Sequence, residues 1–221
     1  MISLPLRCPQ IEAFSLKDWT GRPPGDEPVL VMRQGWNAGS DLEGGTVRFG
    51  WNGRGLLLHA TLPDRDIFNP VTEFNEPAYL KGDVFEIFLR PLSQEAYYEL
   101  HISPSNQLFQ VRFPKNLAEA QPGETIDPTF VKVDLESTVR IDRQNECWEI
   151  FAEIPLAAIC EDGPVLPESR WLISFSRYDY TRTPDGMTAE LFSTSPHQEL
   201  SFHRQHEWTL ITLGSPNGKP A

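Results

Sequence analysis

Glu86 stands in the setting that most demands a chemical explanation in this 221-residue chain. It lies within Val84-Phe85-Glu86-Ile87-Phe88-Leu89, where every other residue is apolar and β-prone. The run is too short for a stable helix and reads as a strand buried on both faces. Alternation puts Glu86 on the face of Val84 and Phe88, so its carboxylate points into a low-dielectric interior or a pocket. There it needs a cation, several hydrogen-bond donors or a ligand's hydroxyls. An internal arginine and a ligand are both open as partners on this ground.

Other chemistries find less support. No Gly-x-Ser-x-Gly occurs, and Ser, His and Asp follow no order typical of nucleophilic catalysis. A glycoside hydrolase needs two carboxylates facing one bond, roughly 5–10 Å apart. Asp83 and Glu86 are three residues apart on a strand and point to opposite faces, whereas Glu86 with Glu99 or Asp179 stays open. Phosphate loops and zinc motifs are absent. His203 and His206 fall in an apparent loop and read as solvated side chains. Asp64, Asp66 and Asn69 share one loop and offer the hard oxygen ligands that calcium takes, although an ordinary turn accounts for them too. Tyr79 and Phe202 sit in irregular segments with no sheet face to fill. Such rings either tuck into the rim of the core or pack on the C–H face of a sugar, with polar groups beneath taking its hydroxyls.

Positioning these residues falls to short strands. Twenty prolines and fifteen glycines are scattered along the chain, punctuating many short elements and arguing against a helical bundle. Strands are predicted at 28–32, 46–51, 56–62, 84–89, 96–103, 108–113, 130–135, 138–141, 148–154, 171–180 and 208–213. Asn52-Gly53 joins two of them as a hairpin. Residues 1–27 read as an irregular leading segment, and 181–207 as a long irregular arm carrying Phe202, His203 and His206. The expected architecture is all-β: one domain over 1–221, two antiparallel sheets packed as a sandwich of immunoglobulin or jelly-roll type, with long loops.

Composition narrows the partners. A formal charge of −12 disfavours nucleic acid and anionic membrane surfaces, which need a basic footprint. No apolar run approaches the roughly 20 residues of a membrane span. The N-terminus lacks the basic region and apolar core of a secretory signal, and three cysteines with no metal-like spacing fit a reducing compartment slightly better.

The order of these features resembles the family 9 carbohydrate-binding modules and their DOMON-like relatives. The marks are Trp51-Asn52, Leu56-Leu57-Leu58 and Asp64, then Gly82-Asp83-Val84-Phe85-Glu86-Ile87-Phe88-Leu89 and Tyr97-Tyr98. They continue with Trp148-Glu149-Ile150-Phe151-Ala152-Glu153-Ile154-Pro155, residues 171–177, and Phe202-His203 shortly before Trp208. The resemblance implies a β-sandwich that binds sugar or polysaccharide without acting on it. By position it makes Glu86 a ligand contact, puts His101 near a basic contact, and sets Tyr79 and Phe202 at the two clamp positions. Ser174, Ser176 and Arg177 fall where polar strand contacts sit, with alternation placing the serines opposite Arg177. The chain departs from the family in lacking tryptophan at either clamp position and in carrying His101 where arginine is usual. The resemblance also implies bound calcium, for which Asp64 and Asp66 are the candidates, and association with a glycoside hydrolase. Such modules are usually exported. The same kinship brings a second expectation, a DOMON-type haem domain, for which Met32, Met187 and the histidines are the axial candidates.

Overall fold

The computed structural model describes residues 5–11, 16–21, 25–121 and 124–215. Among them the strands are β1 (Leu6–Cys8), β2 (Val29–Met32), β3 (Gly45–Trp51), β4 (Gly55–Pro63) and β5 (Val84–Pro91). Then follow β6 (Tyr97–Ile102), β7 (Leu108–Phe113), β8 (Thr129–Phe130), β9 (Glu136–Asp142) and β10 (Cys147–Pro155). The last three are β11 (Arg170–Thr183), β12 (Gly186–Ser193) and β13 (Thr209–Leu213). One sheet runs β2-β3-β4-β10-β9; the other runs β1-β13-β11-β5-β6-β7-β8, with β12 pairing the outer part of β11. All pairings are antiparallel except β1 with β13.

Strand periodicity builds the core. Phe85, Ile87 and Leu89 of β5 and Ile173 and Phe175 of β11 face Phe49, Leu58 and Ile150 of the opposite sheet. Phe175 stacks on Phe85 at 6.0 Å and meets Phe49 at 5.9 Å, so the two sheets interlock through rings. Burying each such side chain stabilises the sandwich by roughly 1.5–3 kcal/mol. Residues 84–89 are buried on both faces, as their composition requires. The outer face is covered by the segment before β5 and by the arm 194–208.

Three expectations are corrected. Residues 1–27 are not wholly irregular: β1 joins the sheet edge, and helix α1 (Leu16–Gly21) buries Trp19, whose indole donates to the Leu58 carbonyl at 2.8 Å. Residues 1–4, 12–15 and 22–24 of that segment lie outside the described residues. The arm 181–207 contains β12, which pairs β11 from Thr183–Gly186 to Ser176–Ser193. Only Thr129 and Phe130 form a strand in the region expected at 130–135. No helix among the described residues is long and apolar enough to cross a membrane.

Gly82 shows how the site-bearing strand is aimed. A Cβ there would lie 2.5 Å from the Phe68 carbonyl oxygen and 2.9 Å from the Asn69 Cα, both backbone atoms that cannot rotate away. Gly82→Ala is therefore expected to destabilise the fold by about 1–3 kcal/mol, read as a lowered urea midpoint at unchanged slope. An unaltered midpoint would show that the loop yields freely.

Candidate ligand-binding site

The antiparallel register lays two rows of side chains across the outer face of the larger sheet. Ser176, Glu86, His101 and Phe109 pair in one row; Ser174, Phe88, Glu99, Val111 and Phe130 form the next. Above the middle of these rows opens a cavity of about 590 Å³, within the roughly 300–1,000 Å³ usual for small-molecule sites. Glu86 and Glu99 form its acidic floor, and Tyr79, Tyr178, Phe109 and Phe202 stand around it.

Each wall has a local cause. A single 3-10 turn, Ala78–Leu80, turns Tyr79 over the sheet, where its ring meets His101 edge-on at 5.7 Å and Phe109 at 6.0 Å. Tyr178 contacts both Tyr79 (6.2 Å) and Phe202 (5.9 Å), linking the two expected clamp rings. Phe202 comes from the arm, which is pinned internally: Trp208 Nε1 donates to the Phe202 carbonyl at 2.8 Å, and Glu207 accepts from Arg204 at 2.8 Å and contacts His197 at 2.9 Å. The Arg204 hydrogen bond, with His197 adding to it, holds the Glu207 carboxyl down at about 2.

The floor is electrostatically divided. His101 Nε2 donates to Glu99 Oε1 at 2.6 Å and lies 3.4 Å from Glu86 Oε1. Burial pushes the Glu86 carboxyl up to about 8, with the Glu99 charge adding and the His101 charge opposing. For Glu99 burial works upward, but the His101 hydrogen bond and charge outweigh it and hold the carboxyl below its usual range. His101 itself rises despite burial, because both carboxylates favour its charged form. His203 is lowered, chiefly by burial, and its Nδ1 is hydrogen-bonded to the Tyr97 hydroxyl at 2.8 Å.

Of the residues expected from sequence, Tyr79, Glu86 and Phe202 line the cavity together. His101 is fully buried beneath the floor and reaches the cavity through the two glutamates. Ser174 and Ser176 lie on the Glu86 face as alternation requires, but are fully buried and bonded to Ser193 and Ser195. Arg177 points the other way, between the sheets. There it donates to the Gly44 and Pro63 carbonyls at 2.9 and 2.8 Å and pairs with Asp64 at 3.1 Å and Asp179 at 3.0 Å. Glu99 and Tyr178 lay within readable strands; what composition alone could not show was which strands neighbour β5. His203, expected to be solvated, is instead drawn into the ring cluster.

The donor set at Asp64 and Asp66 does not fit a calcium ion. Asp64 is taken by Arg177, and Asp66 is held by Arg182, so each acid already has a guanidinium. Two groups of acids converge among the described residues: Asp64, Asp83 and Asp179, two of which the Arg177 guanidinium bonds directly, and Glu86 and Glu99 with His101. Of the axial haem candidates, Met32 is buried in the inter-sheet core and Met187 is exposed on β12.

No family profile matches the chain, and no curated protein sequence does. Solved structures do resemble it. A candidate carbohydrate-binding protein from Bacteroides uniformis superposes with a TM-score of 0.69 at 14% identity, covering 95% of this chain and 98% of the other. A family 9 carbohydrate-binding module from Caldicellulosiruptor kristjanssonii in complex with cellotriose gives 0.64 at 11% identity, with 99% and 98% covered. A family 9 module from the same organism in complex with glucose gives 0.61 at 11% identity, with 97% and 100% covered. The chain has a fold like that of the family 9 carbohydrate-binding modules.

Proposed function

We propose that this protein binds sugars without chemically altering them, and that the ligand enters the cavity above Glu86 and Glu99. The observation that carries this reading is the Glu86 carboxylate, which is 3% exposed, lines an open cavity and receives no hydrogen bond from any described residue. A carboxyl so placed is open to ligand hydroxyl groups, accepting when ionised and both donating and accepting when it holds its proton, and the surrounding rings supply flat apolar faces for a pyranose. Tyr79 and Phe202 act as the clamp, joined through Tyr178. The fold shared with modules solved with cellotriose and glucose supports the same ligand class. A glycoside hydrolase acting on the bound polymer is the partner that fits this reading.

Binding is favoured over hydrolysis by the placement of His101. Glu86 and Glu99 lie side by side with the imidazole edge between them, and a glycosidic bond needs that intervening space. Chromogenic glycosides are expected to stay intact on prolonged incubation.

Calorimetric titration with glucose and cello-oligosaccharides tests the site. Tyr79→Ala is expected to weaken binding about tenfold through loss of the stacking face while leaving the melting temperature nearly unchanged. Equal affinity in the variant would place the sugar elsewhere; no binding by the parent protein would end the reading.

A further inference from the structure

The charge of this cavity says more about its ligand than its shape does. Among the described residues that line it there is no lysine and no arginine, while two carboxylates form the floor. Glu99 is engaged by the His101 Nε2–H, but the nearest polar partner of Glu86 is that same edge, 3.4 Å away. The His101 imidazolium thus serves two buried acids; His203 Nε2 lies 3.9 Å from Glu99, but burial favours its neutral form, so with both acids ionised one negative charge is left without a counter-charge. Burial makes that surplus costly, and raises Glu86 in consequence. Neutral hydroxyls can donate to Glu86 but leave the surplus in place. An ammonium removes it and forms the stronger, charge-assisted hydrogen bond.

The walls favour the same chemistry. The rings of Tyr79, Phe109, Tyr178 and Phe202 line the space above the acids, and aromatic faces attract cations most strongly where water is excluded. Resting on the sugar-binding reading above, we infer that the cavity selects an amino sugar, with the protonated amine donating to Glu86 and Glu99 while the pyranose ring packs against Tyr79 and Phe202. N-acetylation removes the charge and with it the advantage.

Titration of the intact protein with glucose, glucosamine and N-acetylglucosamine at about pH 7, where an approaching ammonium favours release of the Glu86 proton, and again at pH 5, where Glu86 holds that proton and the preference should shrink, tests this step. Glucosamine is expected to bind about tenfold or more tighter than either neutral sugar, and Glu86→Gln to erase most of that difference. High salt should weaken glucosamine more than glucose. Equal affinity for glucose and glucosamine overturns the amine preference and leaves sugar binding intact. Failure of all three sugars, together with failure of cello- and chito-oligosaccharides, overturns both. A glucosamine preference that survives Glu86→Gln also overturns the assignment, because the ammonium must then sit elsewhere.

Discussion

Replacing Arg177 by methionine is expected to destabilise the protein by about 3–5 kcal/mol near neutral pH, the largest single effect anticipated for any side chain described above. The guanidinium is fully buried, and its partners are two carboxylates and two backbone carbonyls. Methionine fills much of the volume but leaves Asp64, Asp83 and Asp179 together with no cation. Those acids are already under strain. Burial pushes Asp83 up to about 7, with the Asp64 charge adding, and pushes Asp179 up to about 6 despite Arg177. Asp64 is raised for the same first reason. Because each folded-state value lies above the ordinary aspartate value, the stability linked to these protons is fully present below about 4 and is lost as pH rises through about 6 to 7. Loss of Arg177 drives the values higher still. The deficit of the variant should therefore be greatest at pH 8 and shrink toward pH 5, in urea unfolding at both. An equal deficit at the two pH values would mean that lost packing, not uncompensated charge, accounts for it.

Glu86→Gln is expected to do the opposite to stability while removing most of the affinity for a sugar amine. The glutamine keeps the shape and sheds the buried charge. Glu86 has its folded value raised to about 8 from an ordinary 4.5, so its contribution is fully present below 4.5 and disappears as pH climbs through about 8. The parent protein should lose stability across that window, and the variant should lose less. Facing Glu86 are Ser176 from β11, His101 and Glu99 from β6, and the Tyr79 and Tyr178 rings, with His203 beyond Glu99. His101, raised from its ordinary 6.5, and Asp83 and Asp179, raised to about 7 and about 6, lose stability over part of the same range, so the share of Glu86 is read as the difference in slope between the parent and the variant. At pH 8 the variant is expected to be on the order of 1–3 kcal/mol more stable. A gain in stability paired with a loss of binding is what distinguishes a ligand-facing acid from a structural one. If the variant is instead less stable at every pH, the acid belongs to the scaffold.

How far the sequence could be read differs from residue to residue. Glu86 was placed on the correct face by alternation alone, because its neighbours are apolar on both sides and a one-residue slip would bury the wrong set. The same rule puts Tyr97, Glu99 and His101 of the next strand on one face and sets Ser174 and Ser176 against Arg177. Alternation gives faces but not neighbours. That β11 lies beside β5, bringing Ser176 opposite Glu86, depends on a long-range pairing between residues 90 positions apart, and no local signal encodes it. By position Arg177 falls among the ligand contacts, but the interior acids that claim it arrive from the end of β4 and from β11 itself, and only the folded chain brings them together. β12 escaped notice for a different reason: Gly186-Met187-Thr188-Ala189-Glu190-Leu191 is exposed over most of its length and carries no amphipathic pattern. β1 spans three residues, too few for periodicity to register.

The parallel pairing of β1 with β13 has a practical consequence. Leu6 lies opposite Ile211 and Cys8 opposite Leu213, and the Gly214 amide donates to the Cys8 carbonyl at 2.7 Å. The first and last described strands are thus neighbours at a sheet margin, with β13 and β11 intervening before β5. A short linker running the length of this parallel pair could join residue 215 to residue 5 and the chain be reopened at the solvent-facing turn around Gly163, giving a rearranged gene whose product keeps the same cavity.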